Sequence, residues 1–300
     1  VARADLLLFV ANVVYATSYV VTRVALAAVP PATLALLRFI VGGLALFALA
    51  GRAGPARPMT SADRARVVLM GVIGFAGAAA LSHWGLALST ATNGALLIVV
   101  EPLTLLLLGP ALLNEHLSRR EWLGAACALA GATLVVVNGV PGLTARIVPH
   151  WRGDLLLILS GAAYAAYSLL GRPVLARHRA LPVTASSILW GVPALVPLAA
   201  LEWMSGWRPV WTAGTVVVTL YLALVITALG YLIWNWALER TTAARAGIFV
   251  NVQPVVGAAL GVVVLGEPLT PFTLVGGALV VGGLLLTVRG GGGQAVYSKE

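Results

Sequence analysis

Residues 84–131 read WGLALSTATNGALLIVVEPLTLLLLGPALLNEHLSRREWLGAACALAG, and residues 236–283 read WALERTTAARAGIFVNVQPVVGAALGVVVLGEPLTPFTLVGGALVVGG. Laid together without a gap, at an offset of 152, they pair Trp84 with Trp236, Thr90-Ala91 with Thr242-Ala243, Pro102 with Pro254 and Gly109 with Gly261. The match runs on through Glu115 and Glu267, Leu117 and Leu269, Gly124 and Gly276, to Gly131 and Gly283. Leu and Ala coincide by chance in an apolar chain, so the weight rests on the Trp, Pro and Glu pairs in one order. Upstream the offset is 149. Asp5-Leu-Leu-Leu matches Asp154-Leu-Leu-Leu, Tyr15 matches Tyr164, Ala16 matches Ala165 and Arg23 matches Arg172. A three-residue change in a loop joins the two registers, and the chain reads as an internal duplication.

Both copies are strongly apolar. Of 300 residues, 60% are hydrophobic and 10% charged, against about 25% charged in an average soluble domain. Lipid is the solvent that suits such a chain, because every face of a spanning helix can be apolar. A span needs about 20 mainly apolar residues. Ten are predicted, over 5–28, 32–50, 66–87, 90–113, 120–139, 154–172, 183–204, 213–237, 242–265 and 270–288. Turn chemistry separates them at Pro30-Pro31, Gly51 to Pro58, Pro141-Gly142, Arg208-Pro209 and the Gly-rich run after Arg289. The first span is long enough to stay in the membrane as a helix. Cys127 lies in an apolar stretch and reads as a small packing residue.

The net charge of +9 would suggest nucleic acid in a soluble protein. Here its distribution points to topology instead. With the N-terminus in the cytoplasm, fourteen Lys and Arg fall in cytoplasmic segments and three, Arg146, Arg152 and Arg208, in external loops; Arg23 and Arg38 lie within spans. That bias places both termini inside. Each copy holds an odd number of spans, so the second enters the membrane from the opposite side. The expected architecture is an all-α membrane protein of ten transmembrane helices in two inverted five-helix repeats. They cover residues 1–139 and 154–289, with an external linker at 140–153 and a cytoplasmic tail at 290–300. Inverted repeats recur in secondary transporters, with substrate held near the midplane between the halves. Duplication also builds channels and passive scaffolds.

Several stretches resemble a known family. They are Tyr15-Ala-Thr-Ser-Tyr-Val-Val-Thr-Arg23, Leu37-Arg38-Phe39, Glu101-Pro102, Asn114-Glu115-His-Leu-Ser, Gln253-Pro254 and Gly266-Glu267-Pro-Leu-Thr. Together with ten spans in two fives, they resemble the drug/metabolite transporter superfamily in its EamA-like group. That family often has Trp-Gly where this chain has Tyr15-Ala16. The resemblance implies a monomeric exporter of small metabolites in the bacterial inner membrane. Within the family the chain looks most similar to bacterial YddG-type exporters of aromatic and other amino acids.

Polar groups within the spans are the candidate site. Of ten acidic residues only Glu101 falls near the middle of a span. A charge there costs at least about 2.5 kcal/mol on insertion scales, so it should face a cavity or a partner. It can carry a proton, meet a substrate ammonium, or hold a neighbouring helix by a hydrogen bond. Its repeat partner Gln253 cannot titrate. The first span presents Asn12, Tyr15, Tyr19 and Thr22 as one stripe, and the sixth presents Ser160, Tyr164, Tyr167 and Ser168. The eighth carries Thr227, Tyr231, Trp234 and Asn235; His83 and Trp84 end the third, and Asn93 sits on the fourth. A cavity with aromatic walls and a few polar groups suits an amphipathic solute such as an amino acid. The cavity is expected mainly from spans one, three, four, six, eight and nine, a list drawn partly from the resemblance.

Each of these groups has a packing alternative. For Trp151, Trp190, Trp203, Trp207 and Trp211 the interfacial belt is the preferred reading. Pro102 and Pro254 are candidate kinks, expected to free the carbonyls of Ile98 and Val250. Arg23 and Arg38 are expected to snorkel toward the outer face, although Arg38 also suits an anionic group. No Gly-x-Ser-x-Gly, HExxH or phosphate-binding loop occurs. No metal or cofactor site, nucleotide-hydrolysing domain or pair of deep carboxylates is seen. The reading is a carrier of a small molecule through the bilayer, by a gradient or by simple facilitation, with the proton as candidate coupling ion. A pore would need a continuous hydrophilic lining, and here the polar groups gather at mid-depth.

Overall fold

The computed structural model describes residues 2–52, 58–113, 118–138, 150–238 and 249–290. These form helices and turns, with no strand among the described residues. We number the helices by predicted span: α1 (Ala2–Ala25), α2 (Pro31–Arg52), α3 (Ser61–Leu88), α4 (91–113), α5 (Arg119–Val137), α6 (Trp151–Leu175), α7 (Ala180–Met204), α8 (213–238), α9 (Val252–Leu265) and α10 (Pro271–Gly290). Eight are long and apolar enough to cross a membrane, and the described parts of α9 and α10 are shorter apolar helices. The starts follow local chemistry. Thr60, Thr90, Ser118 and Thr212 each accept a hydrogen bond from the backbone N–H three residues on, capping α3, α4, α5 and α8. Exposed Leu6, Phe9, Leu44, Phe47, Leu123 and Val263 give the bundle an apolar outer surface that lipid would cover.

Three irregularities went unread in the sequence. α3 widens to a π-helical stretch over Met70–Ala78, and α8 does so over Tyr221–Leu229. These stretches are repeat-related, and Phe75 and Thr227 occupy equivalent places on them. α4 is broken: Ala91–Leu97 and Val100–Leu113 flank a turn at Ile98 and Val99. Asn251, the repeat equivalent of Val99, is likewise a turn just before α9. The prolines therefore act differently from the expected kinks. Pro102 and Pro254 are each third in a new helix, where a missing N–H costs nothing. The Ile98 carbonyl is not left free; it accepts from the Glu101 N–H at 3.2 Å.

The packing respects an exchange of halves. α2 lies on α7, α4 on α9 and α5 on α10; α2 meets α8 as α7 meets α3, and α1 meets α8 as α6 meets α3. α5 and α10 approach closely. A Cβ at Gly124 would sit 2.7 Å from the Gly283 carbonyl, and one at Gly131 would sit 2.5 Å from that of Gly276. The two contacts run antiparallel, and exchanging the halves turns each into the other. Small residues let the backbones meet where a side chain would hold them apart.

Candidate functional site: an aromatic cleft between a carboxylate and a guanidinium

Five helices converge on Phe75. Its ring makes edge-to-face contacts with Phe39 of α2 (5.5 Å between centroids), Tyr167 of α6 (5.1 Å) and Tyr231 of α8 (5.7 Å). Tyr15 of α1 meets Tyr231 at 6.3 Å. Phe75 and Phe39 are buried, but Tyr15, Tyr164, Tyr167 and Tyr231 are only half-buried at mid-span. Rings that face one another yet stay accessible line a cleft. Glycine sets its width: Tyr15 lies over Gly230, and Tyr167 lies over Gly74.

Glu101 stands on one side. Its Oε1 accepts from Ser168 Oγ at 3.1 Å, a bond from α6 to α4 that links the two halves. On the other side is Arg38, which turns inward rather than snorkelling. Its Nε donates to Thr227 Oγ1 on the wide stretch of α8 at 2.8 Å, and its guanidinium lies 5.5 Å from the Phe39 ring. Thr227 passes its own hydroxyl proton to the Leu222 carbonyl at 3.0 Å, which leaves its lone pairs for Arg38. Gly42 permits this, because a Cβ there would press on the Ala223 carbonyl at 2.5 Å.

The remaining sequence candidates are dispersed. Asn12 is buried, donates to the Leu8 carbonyl and accepts from Gln253 Nε2 at 2.8 Å, tying α1 to α9. Tyr19 is buried in the same seam against Gly94 and Gly257. Trp234 packs on Leu8, and the Asn235 side chain lies outside the described residues. His83, Trp84 and Asn93 are held by hydrogen bonds toward one end of the bundle, and Trp84 also packs against the cluster that contains Phe39 and Phe75. His83 meets the Pro31 carbonyl at 3.1 Å, Trp84 donates to Glu202, and Asn93 donates to Asp154. Phe39, Phe75 and Arg38 were not chosen from the sequence. The signal that finds Phe75 and Thr227 is their equivalence under the 152-residue offset.

At that same end, acidic side chains of the second half cap helices of the first. Glu202 accepts from the N–H groups of Ala32 and Thr33 and from the Thr33 hydroxyl. Glu267 accepts from the N–H groups of Ala91 and Thr92 and from the Thr92 hydroxyl. Asp154 holds Ser89 and Asn93. At the opposite end Asp63 of α3 takes Arg177 and His178 from the end of α6.

A groove of about 240 Å³ lies between α4, α5 and α6, lined by Val100, Leu103, Leu107, Leu129, Val136 and Ile158 among others. Its two hydroxyls, Thr104 and Thr133, are bonded to their own helices. It offers nothing polar to a solute and suits an acyl chain. Among the described residues no group of three or more His, Cys, Asp or Glu side chains could hold a metal ion.

The model of the EamA-like transporter family matches residues 2–137 and again 151–289. The chain belongs to the EamA-like transporter family. It is 30% identical to a probable terminal-alkyne amino-acid exporter of Streptantibioticus cattleyicolor, over 92% of this chain and 90% of the relative. It is 28% identical to a probable amino-acid metabolite efflux pump of Salmonella typhimurium, over 93% and 92%. A solved crystal structure superposes with a TM-score of 0.63 over 95% of this chain and 96% of that one, at 24% identity, which speaks to the fold alone. As a member of this family the chain is a multi-pass all-α membrane protein. It is a transporter of small molecules rather than an enzyme.

Proposed function

We propose that this EamA-like protein exports small amphipathic metabolites, amino acids including aromatic ones, by alternating access around the cleft at Phe75. The observation that carries the reading is the lining itself. Half-buried tyrosines from both halves gather about Phe75, and Glu101 is bonded to Ser168, the neighbour of Tyr167 in sequence. Rings grip an apolar side chain and Glu101 meets an ammonium. The proposed substrate-contacting set is Tyr15, Glu101, Tyr164, Ser168, Tyr231 and Asn235, while Asn12, Tyr19 and Gln253 hold the α1–α9 seam beside it and Trp234 packs on Leu8. His83, Trp84 and Asn93 shape the end that opens and closes, and Pro102 and Pro254 mark the breaks in the moving helices. Two relatives whose names refer to amino acids support the cargo class.

The arginine bias supports both termini in the cytoplasm; the proposed setting is the bacterial inner membrane and the proposed working unit a monomer. Its inverted five-helix halves would be residues 1–139 and 154–289, joined by an external linker at 140–153 and followed by a cytoplasmic tail at 290–300. The proton is the proposed coupling ion and Glu101 its carrier, bonded to the hydroxyl of Ser168.

The test is uptake of labelled amino acids into proteoliposomes, with and without a pH gradient, for wild type and Glu101→Gln. Saturable uptake accelerated by the gradient is expected, with the acceleration abolished in the variant. Uptake indifferent to both pH and Glu101 would mean facilitation without proton coupling. Absence of amino-acid flux, where other metabolites cross, would overturn the cargo assignment.

A further inference from the structure

Arg38 is a cation inside a span, seven residues and about 10 Å of helix from the start of α2. Such a charge costs several kcal/mol unless something compensates it. Among the described residues no carboxylate lies within 4 Å of it, whereas Arg66, Arg177 and His178 all reach Asp63. Its hydrogen bond to Thr227 uses Nε alone. The outer edge of the guanidinium, with its two NH₂ groups, is the part that pairs bidentately with carboxylates. Thr227 and the Phe39 ring fix the plane of the group, so that edge is oriented before any ligand arrives. The side chain is half-buried, which leaves it reachable from the cleft.

We propose that Arg38 is the docking group for the carboxylate of the cargo, so that the cleft recognises a zwitterion with its ammonium toward Glu101 and its carboxylate toward Arg38. The inference rests on the amino-acid reading above and narrows it. Amines without a carboxylate and simple apolar solutes are excluded as preferred cargo, because they would leave Arg38 unpaired in the span.

The experiment compares each amino acid with its own primary amide, which keeps the side chain and the ammonium and removes the negative charge. Competition against labelled amino-acid uptake in proteoliposomes gives the amino acid-to-amide preference for wild type, Arg38→Gln, Arg38→Lys and Thr227→Val. Wild type is expected to prefer the acid by about 10- to 100-fold, the range for a charge-assisted hydrogen bond. Arg38→Gln is expected to lose that preference by weakening acid binding while leaving the amide within about threefold. Arg38→Lys should keep a reduced preference, and Thr227→Val should lower it without removing the charge. Thermal unfolding of each variant in detergent separates lost recognition from lost fold. Should Arg38→Gln be misfolded, the other two variants decide: an unaltered preference in both would overturn the proposal. Amino-acid flux in wild type with an intact preference in Arg38→Gln overturns the role of Arg38 and leaves the exporter reading standing. Flux of amides but not of amino acids in wild type overturns both.

Discussion

Phe75 shows how much a single side chain can hold. It is buried and touches three rings from three other helices, two of them in the opposite half. Edge-to-face pairs contribute about 0.5–1.5 kcal/mol each beyond area, and truncating a buried Phe to Ala costs about 3–5 kcal/mol. Phe75→Ala should therefore lower the thermal midpoint in detergent by many degrees, and Phe75→Leu by clearly less. Ser168 tests the other side of the cleft. Removing the hydroxyl that Glu101 accepts should raise the half-saturation concentration for amino acids at least threefold, with an unchanged thermal midpoint. Gly42 is a third case. A methyl there meets a backbone carbonyl at 2.5 Å and cannot be absorbed by a rotamer change. Gly42→Ala should push α2 from α8 and reproduce the recognition defect of Thr227→Val.

Among the elements, the two carboxylate caps are the clearest device. The first N–H groups of a helix have no partner within it, and an anion at that end is favoured by both hydrogen bonding and the helix dipole. Glu267 serves α4 from the segment after α9, where Gly266 reverses the chain at φ +66°. Glu202 serves α2 from the end of α7. Glu267→Ala should cost about 1–3 kcal/mol, read as a lower midpoint in chemical unfolding. The Glu202 change should add to it nearly independently, since the caps share no partner. Spans and the pairing of Glu115 with Glu267 were legible as sequence, because apolar length and a repeated order of residues need no spatial partner to be read. The wide stretches of α3 and α8 were not, since MGVIGFAGA and YLALVITAL read as ordinary apolar helix. Nor could sequence turn Arg38 inward, because the hydroxyl that holds it lies 189 residues away on one of those stretches. His83, Trp84 and Asn93 show the converse limit. Their polarity was visible, but their partners at the bundle end lie 52, 118 and 61 residues off.

Across the whole molecule, the α5–α10 seam divides neighbouring glycines sharply. A Cβ at Gly283 meets the Gly124 carbonyl at 2.5 Å and the Ala128 nitrogen at 2.6 Å, whereas a Cβ at Gly282 meets nothing within 4 Å. Gly283→Ala should destabilise the protein by about 1–3 kcal/mol, and Gly282→Ala should be neutral or stabilising by up to about 1 kcal/mol. Thermal midpoints of the two purified variants check the contrast. The seam also says something about how such a molecule is assembled. Gly124 touches the residue equivalent to Gly131, and Gly131 touches the equivalent of Gly124. That reciprocity defines the interface of a symmetric homodimer, where one patch serves as both donor and receiver. A half of the chain bearing Gly124 and Gly131 carries both faces of such a joint, so α5 and α10 meet as the same patch of two subunits would across a dyad.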